Sequence, residues 1–363
     1  MKQTIKFTGT IIADTGVSVS RPNDNFMGGG HSDKVSRLPR TGSKKQDTGV
    51  YIPGATLRGK LRRAGQDRIA AYLKQGVDGP VFSLDEHYML RQGVDISGET
   101  IKERSAGTID KESSLREANP FLSLFGRWKI AGHLGVYGLH PLSNDCLMVD
   151  GKGARSNDFI RTPERIGLLS SDDQAKLQLL LEQDAVASLE MEPIKAKVKE
   201  LKKEIKNTSE ISERDAINVQ IEELEQQQKA IKDNKISREA IQRPLDGYEM
   251  VKPGTSFEHQ MILQNSTADE LGLFIESLAE FARNPQVGAH ASHGCGRVSM
   301  SYDITTFPEL ADEPVLLGKI TVNEKGFKLT DLTDDKSLTE ARVNLVNKIK
   351  SGEFDFGKFL LDK

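Results

Sequence analysis

Apolar and polar residues alternate at the start of the chain. Ile5, Phe7, Gly9 and Ile11 oppose Lys2, Lys6, Thr8 and Thr10, the period-two signature of a half-buried strand over residues 2–13. A polar stretch without periodicity follows, about 17–50, containing Gly28, Gly29 and Gly30. Loops of that length inside a folded body are functional or disordered. Leu57, Leu61, Ile69 and Leu73 then recur near helical spacing, with Arg58, Lys60, Arg62, Arg63 and Arg68 between them. This pattern predicts an amphipathic helix over about 55–74, entered through the Pro53–Gly54 turn. Residues 77–125 mix short strand and helix signals up to an apolar patch that opens at Asn119-Pro120 and ends in Leu124-Phe125-Gly126. From 127 to 165 the chain is Gly-rich with short β-like runs and closes in the polar segment GKGARSNDFIRTPER.

The pattern changes at about 171. Ile194, Val198, Leu201 and Ile205 are spaced 4-3-4, a coiled-coil seam, and Ile217, Ile221, Leu224 and Ile231 form a second one. NTSEISERD lies between them, with Ser212 and Asp215 placed like a helix N-cap signature. An antiparallel helical hairpin is the simplest geometry. Strand alternation returns in GTSFEHQMIL, 254–263, followed by a helix over 267–284 with Leu271, Ile275, Leu278 and Phe281 on one side. GAHASHGCG, 288–296, reads as a loop and RVSMSYDI, 297–304, as a strand. This order predicts an α+β chain with a split β-α-β core of the ferredoxin-like kind. The expected divisions are 1–170 and 243–305 as two parts of one body, 171–242 as an inserted α-helical hairpin, and 306–363 as a small appendage with a strand pair and a helix near 337–350.

Charge adds a distinction that the total hides. The 363 residues carry 50 Lys+Arg and 53 Asp+Glu, a net −3, which by itself argues against a nucleic-acid binder. Between Arg21 and Arg68, however, eleven basic residues face four acidic ones, +7 over 48 positions. The hairpin region 193–240 is near neutral, with eleven basic and ten acidic residues. Two cysteines, Cys146 and Cys295, make a disulfide framework implausible and point to a reducing cytoplasm. No apolar run approaches the roughly 18 residues that span a bilayer, and the N-terminus does not read as a signal peptide.

Two segments carry candidate chemistry. In IPGATLRGKLR, 52–62, basic side chains crowd a helix start, where backbone N–H groups and the helix dipole favour anions such as phosphate. A solvated basic helix face would hold the same residues. In GAHASHGCGRV, 288–298, glycines permit close backbone approach but follow no dinucleotide fingerprint. His290, His293 and Cys295 are too few for a zinc site unless His259 or Cys146 joins them in space, so no metal and no cofactor is expected.

Taken together, the Ile52–Arg62 segment, Leu124-Phe125-Gly126 and Gly294-Cys295-Gly296-Arg297-Val298 resemble, in this order, the RAMP superfamily of CRISPR effector proteins. The likeness is to its backbone subunits that coat a guide RNA, those of type IV most of all and type III next. The resemblance covers 1 to about 305 without the hairpin. It implies a ferredoxin-like, RNA-recognition-motif-like palm with an inserted thumb at 127–165. It also implies head-to-tail self-association into a helical filament along the guide RNA, alongside other effector-complex subunits, with target DNA or RNA recognised through guide pairing. Carried over residue by residue, Arg58, Lys60 and Arg62 would meet guide-RNA phosphates. Lys60 and Arg62 lie two apart and cannot share one helical face. Gly294 and Gly296 would admit RNA closely, with His293 or Arg297 adding contacts, and Arg155, Arg161 and Arg165 would face RNA from the thumb. Type III backbone subunits cut target RNA with an Asp in the loop before this helix, where Asp24 and Asp33 stand here. The surrounding residues differ from that pattern, so the expectation is a binding subunit and not an enzyme. A structural adaptor that docks a partner through the hairpin is the expectation of another class.

Overall fold

The computed structural model describes residues 3–19, 38–41, 49–75, 79–103, 109–155, 159, 162–207, 210–234, 243–308 and 313–361. The chain separates into two compact units, one built from 1–150 and 248–363, the other from 151–247.

The first unit is an antiparallel sheet covered by helices on one face. Its strands are β1 (Gln3–Ala13), β2 (Leu134–Val136), β3 (His140–Pro141), β6 (Ser256–Ser266), β7 (Val298–Thr306), β8 (Val315–Asn323) and β9 (Gly326–Asp331). They lie in the order β2-β6-β1-β7-β8-β9, with β3 also on β6. Alternation along β1 buries Ile5, Phe7, Ile11 and Ala13, and the same register buries Phe257, Met261 and Leu263 on β6 and Val298, Met300, Tyr302 and Ile304 on β7. These side chains form one core with α1 (Gly54–Leu73), α5 (Pro120–Phe125), α8 (Ala268–Phe281) and α9 (Ser337–Ser351). The opposite face carries Lys6, Thr8 and Thr10, Glu258 and Gln260, and Ser301 and Asp303, with the exposed His140 ring opposite Glu258 and the Lys6 ammonium over the Phe307 ring. The architecture is therefore α+β. Read as β1-α1-β2-β6-α8-β7, the central part interleaves two β-α-β halves.

Two expectations change. The segment 77–125 is helical, with α2 (Leu84–Gln92), α3 (Glu99–Lys102), α4 (Ile109–Ala118) and α5. Residues 306–363 are no appendage: β8 pairs with β7, β9 with β8, and Ile320, Val322, Leu338, Leu345 and Phe356 join the main core. Helix α9 crosses α8 at Gly272, where a Cβ would stand 2.4 Å from the Ala341 carbonyl oxygen. Asn119 anchors the end of the chain by donating to the carbonyls of Phe356 (3.1 Å) and Lys358 (3.0 Å). Local periodicity shows that strands exist there but not which sheet they join.

The helical layer is tied by a buried carboxylate. Glu276 on α8 accepts from Arg68 Nε (2.5 Å) and Tyr72 Oη (2.7 Å) of α1 and from Arg342 of α9. Burial alone would raise its pKa, but the bonds from Arg342, Tyr72 and Arg68 outweigh burial and hold it below the usual carboxylate range.

In the second unit, α6 (Ser171–Asn207) and α7 (Ile211–Asp233) form the hairpin. Val198, Leu201 and Ile221 are its buried seam, flanked by Ile205, Ile217 and Leu224. Lys202 pairs with Glu225 at 2.8 Å. Helix α7 begins two residues earlier than the cap signature implied: the Glu210 carbonyl accepts the Arg214 N–H at 3.2 Å, so Ser212 and Asp215 lie inside the helix. Strands β4 (Leu147–Arg155) and β5 (Arg243–Val251) make a separate two-stranded sheet.

Candidate nucleic-acid interface

The two sequence segments are held by different strands of the sheet. Register puts Ala13 of β1 opposite Val298 of β7, Ile12 opposite Ser256 of β6, and Pro141 opposite Phe257. Along the sheet edge beside β3, Ile52 exchanges backbone hydrogen bonds with Leu139 (3.0 and 2.9 Å), which sets the start of α1. Pro53 supplies the turn, and Gly54 is required because a Cβ there would stand 2.2 Å from the Val136 carbonyl oxygen. No side chain caps this helix start. A cavity of about 600 Å³ opens beside it, lined among others by Arg40, Val50, His140, Asn144 and Cys146.

The basic residues of α1 divide by face. Arg62 is 7% exposed and donates from Nε to Leu90 O (2.5 Å), from Nη2 to Met89 O (2.7 Å), and from Nη1 to Phe125 O (3.1 Å) and Gly126 O (2.8 Å). Met89 and Leu90 are in the last turn of α2, and Phe125 ends α5. The guanidinium thus closes the carbonyl ends of two helices, where orphan acceptors and dipoles favour a cation. Arg58, four residues earlier, adds a 2.6 Å bond from Nη2 to Phe125 O. Burial, and then Arg58, pushes the Arg62 pKa down to about 9, which leaves it charged at neutral pH. Arg62 is therefore a structural residue and not the phosphate contact the sequence implied. Leu124-Phe125-Gly126 and the Arg58/Arg62 pair are two halves of one packing device.

Lys60 is on the other side of the helix. It is half-buried, Arg63 beside it is exposed, and neither has an anionic partner among the described residues. Burial, then the neighbouring Arg63, lowers the Lys60 pKa.

The Gly-rich loop packs against the exit of β1. Ala289 N–H donates to Ser18 O and Gly296 N–H to Gly16 O, each at 2.8 Å. Asp14 and Thr15 N–H both donate to Arg297 O (2.9 and 3.2 Å). Gly296 has φ +89°, and a Cβ there would stand 2.2 Å from Val287 O, so its close approach is to the protein's own backbone. Gly294, φ +79°, faces open space. His293 and Arg297 are exposed, and no described residue pairs with the Arg297 guanidinium.

His290, His293 and Cys295 do not form a metal site, since no group of three such ligands is suitably placed among the described residues. His259, the possible fourth ligand, is instead committed to the core: Nδ1 accepts from Tyr302 Oη (2.7 Å) and Nε2 donates to Tyr137 O (3.0 Å). In register the two side chains flank Gly9, and the missing side chain there lets them meet. Burial, partly countered by the bond to Tyr137, lowers the His259 pKa to about 4.

Asp24, Asp33 and Arg161 lie outside the described residues, as does the Arg155 side chain at the end of β4. Arg165 is exposed on the short 3-10 turn Pro163–Leu168. No helix among the described residues is long and apolar enough to cross a membrane.

No family model and no curated protein matches the chain. Among solved structures, a chain of one entitled "Type IV-B CRISPR Complex" is similar at 15% identity and a TM-score of 0.37, over 85% of this chain and 93% of that one.

Proposed function

We propose that this chain is a guide-RNA-binding backbone subunit of a CRISPR effector complex, its first unit acting as a ferredoxin-like palm that assembles head to tail along the guide. The sequence motifs shared with the RAMP superfamily motivate the reading. The observation that carries it is that both motif segments, α1 and the Gly-rich loop, present cations not used by the protein's own packing: Lys60, Arg63 and Arg297 lack protein anions among the described residues. Copies of the chain, other effector subunits and a target paired to the guide are the proposed partners, and the subunit holds RNA without cutting it.

The test is the A260/A280 ratio of protein purified from its host, followed by sequencing of bound RNA. Guide-length RNA of repeat-spacer origin is expected. A nucleic-acid-free monomer in low salt refutes the proposal. A guide-loaded complex given labelled complementary RNA tests the non-enzymatic part: regularly spaced cuts lost in Asp33→Ala replace it with the type III-like reading.

A further inference from the structure

A ring cluster lies at the mouth of the Gly-rich loop, separate from the α1 cations. Tyr248 is buried against Met250 and Cys295, with its hydroxyl 3.4 Å from Cys295 Sγ. His290 lies flat on it, ring centroids 3.8 Å apart and planes 8° from parallel. His293 is 5.7 Å from His290 and 6.3 Å from Tyr248. These three distances put His293 beside His290 and not on top of it. The two imidazoles, inclined by only 21°, make a platform with Tyr248 beneath one of them.

The backbone is strained to hold this arrangement. His290 has φ +58°, the left-handed region that a side chain rarely adopts, and such strain persists where surrounding structure enforces it. The His290 carbonyl accepts the N–H of His293 (2.9 Å) and of Cys295 (3.3 Å), which locks the turn between the rings. Burial of His290, reinforced by His293, lowers its pKa, so its ring is neutral at pH 7 and presents an ordinary π-face. His293 is exposed, and among the described residues no further ring covers the platform. Arg297, four residues on, offers a guanidinium with no partner among the described residues, and its backbone N–H donates to Thr15 Oγ1 at 3.0 Å.

From this arrangement we infer that the His290/His293 platform stacks one unpaired nucleobase of a bound RNA strand while Arg297 takes a phosphate beside it. Stacking on a flat ring pair needs no base-edge hydrogen bonds, so it accepts any base, as a guide of variable sequence requires. The inference rests on the guide-RNA reading and assigns a contact to the base, where that reading invokes phosphates alone.

The experiment compares two labelled oligonucleotides of equal length and charge, oligo(rA) and its abasic ribose-phosphate counterpart. Each is titrated by fluorescence anisotropy against the full chain stripped of nucleic acid in high salt. Oligo(rA) is expected to bind on the order of 5- to 100-fold more tightly, the range of one stacked base. His293→Ala narrows that gap, His293→Phe retains it, and Arg297→Ala weakens both ligands alike. Equal binding of the two by the wild-type chain, or an unchanged gap in His293→Ala, overturns the stacking inference and leaves the guide-RNA reading in place. Failure of both oligonucleotides to bind overturns both readings. The wild-type comparison needs no variant, and His293→Phe keeps a ring of similar size in the turn.

Discussion

Replacing Arg62 separates scaffold from interface. Its guanidinium makes four hydrogen bonds to main-chain carbonyls at the ends of α2 and α5 and is almost fully enclosed. Charge-assisted bonds contribute about 1.5–3 kcal/mol each, but two of these share Nη1 and do not add in full. Arg62→Met fills much of the space and leaves the acceptors unpaired, for an expected loss of about 3–5 kcal/mol. With a urea dependence of about 3 kcal/mol per M, the unfolding midpoint falls by about 1 M or more. Arg62→Lys recovers only part of this, because a single ammonium cannot reach both helix ends. Lys60→Ala is the control: the midpoint stays, while the slope of log affinity for RNA against log salt drops by about 0.7, one phosphate contact on a single strand. Urea unfolding followed by circular dichroism reads the first effect and anisotropy titration across salt the second. A stable Arg62→Met protein with impaired RNA binding refutes this division of roles.

Three other outcomes are expected. His259 is neutral in the folded state down to about pH 4 and titrates near 6.5 when unfolded, so the unfolded chain takes up protons first as pH falls. Stability is full above 6.5 and declines by about 2 kcal/mol at pH 5, and urea midpoints at pH 7.5 and 5.0 for wild type and His259→Gln detect the slope and its loss. Glu276→Ala leaves Arg68 and Arg342 without their shared carboxylate and costs about 2–4 kcal/mol by thermal unfolding. Because the Glu276 carboxyl is held below its ordinary range, its contribution is present above about 4.5 and fades as pH falls through the lowered value. Val198→Asp buries a charge in the hairpin seam and lowers helical content, while RNA affinity stays within twofold if the hairpin serves a protein partner.

Elements with a local signature were legible in the sequence. Alternation in β1 and β6 and the stripe in α8 lie in contiguous residues, and the seam residues Val198, Leu201 and Ile221 meet as their spacing implies. The placement of β8, β9 and α9 was not legible, because a strand joining β7 and one forming a separate pair have the same pattern. The role of Arg62 is hidden from the sequence for a related reason. Its acceptors are carbonyls 27 to 64 residues away, and main-chain oxygens leave no trace in side-chain composition. His259 was equally hidden, since nothing near it in sequence announces Tyr302 across Gly9.

Helix α1 shows how a functional-looking motif mixes two jobs. At about 100° per residue, Arg58 and Arg62 share one face and Lys60 and Arg63 another. The first pair faces the carbonyl ends of α2 and α5, so substituting either acts on folding whatever the chain binds. The second pair has no carboxylate among the described residues, and part of its charge is desolvated on the protein. A phosphate arriving at Lys60 would relieve that desolvation by pairing it. The basic motif is thus spent on stability on one face and left open on the other. A scan that treats all its cations as one patch would assign to RNA binding an effect that belongs to the core.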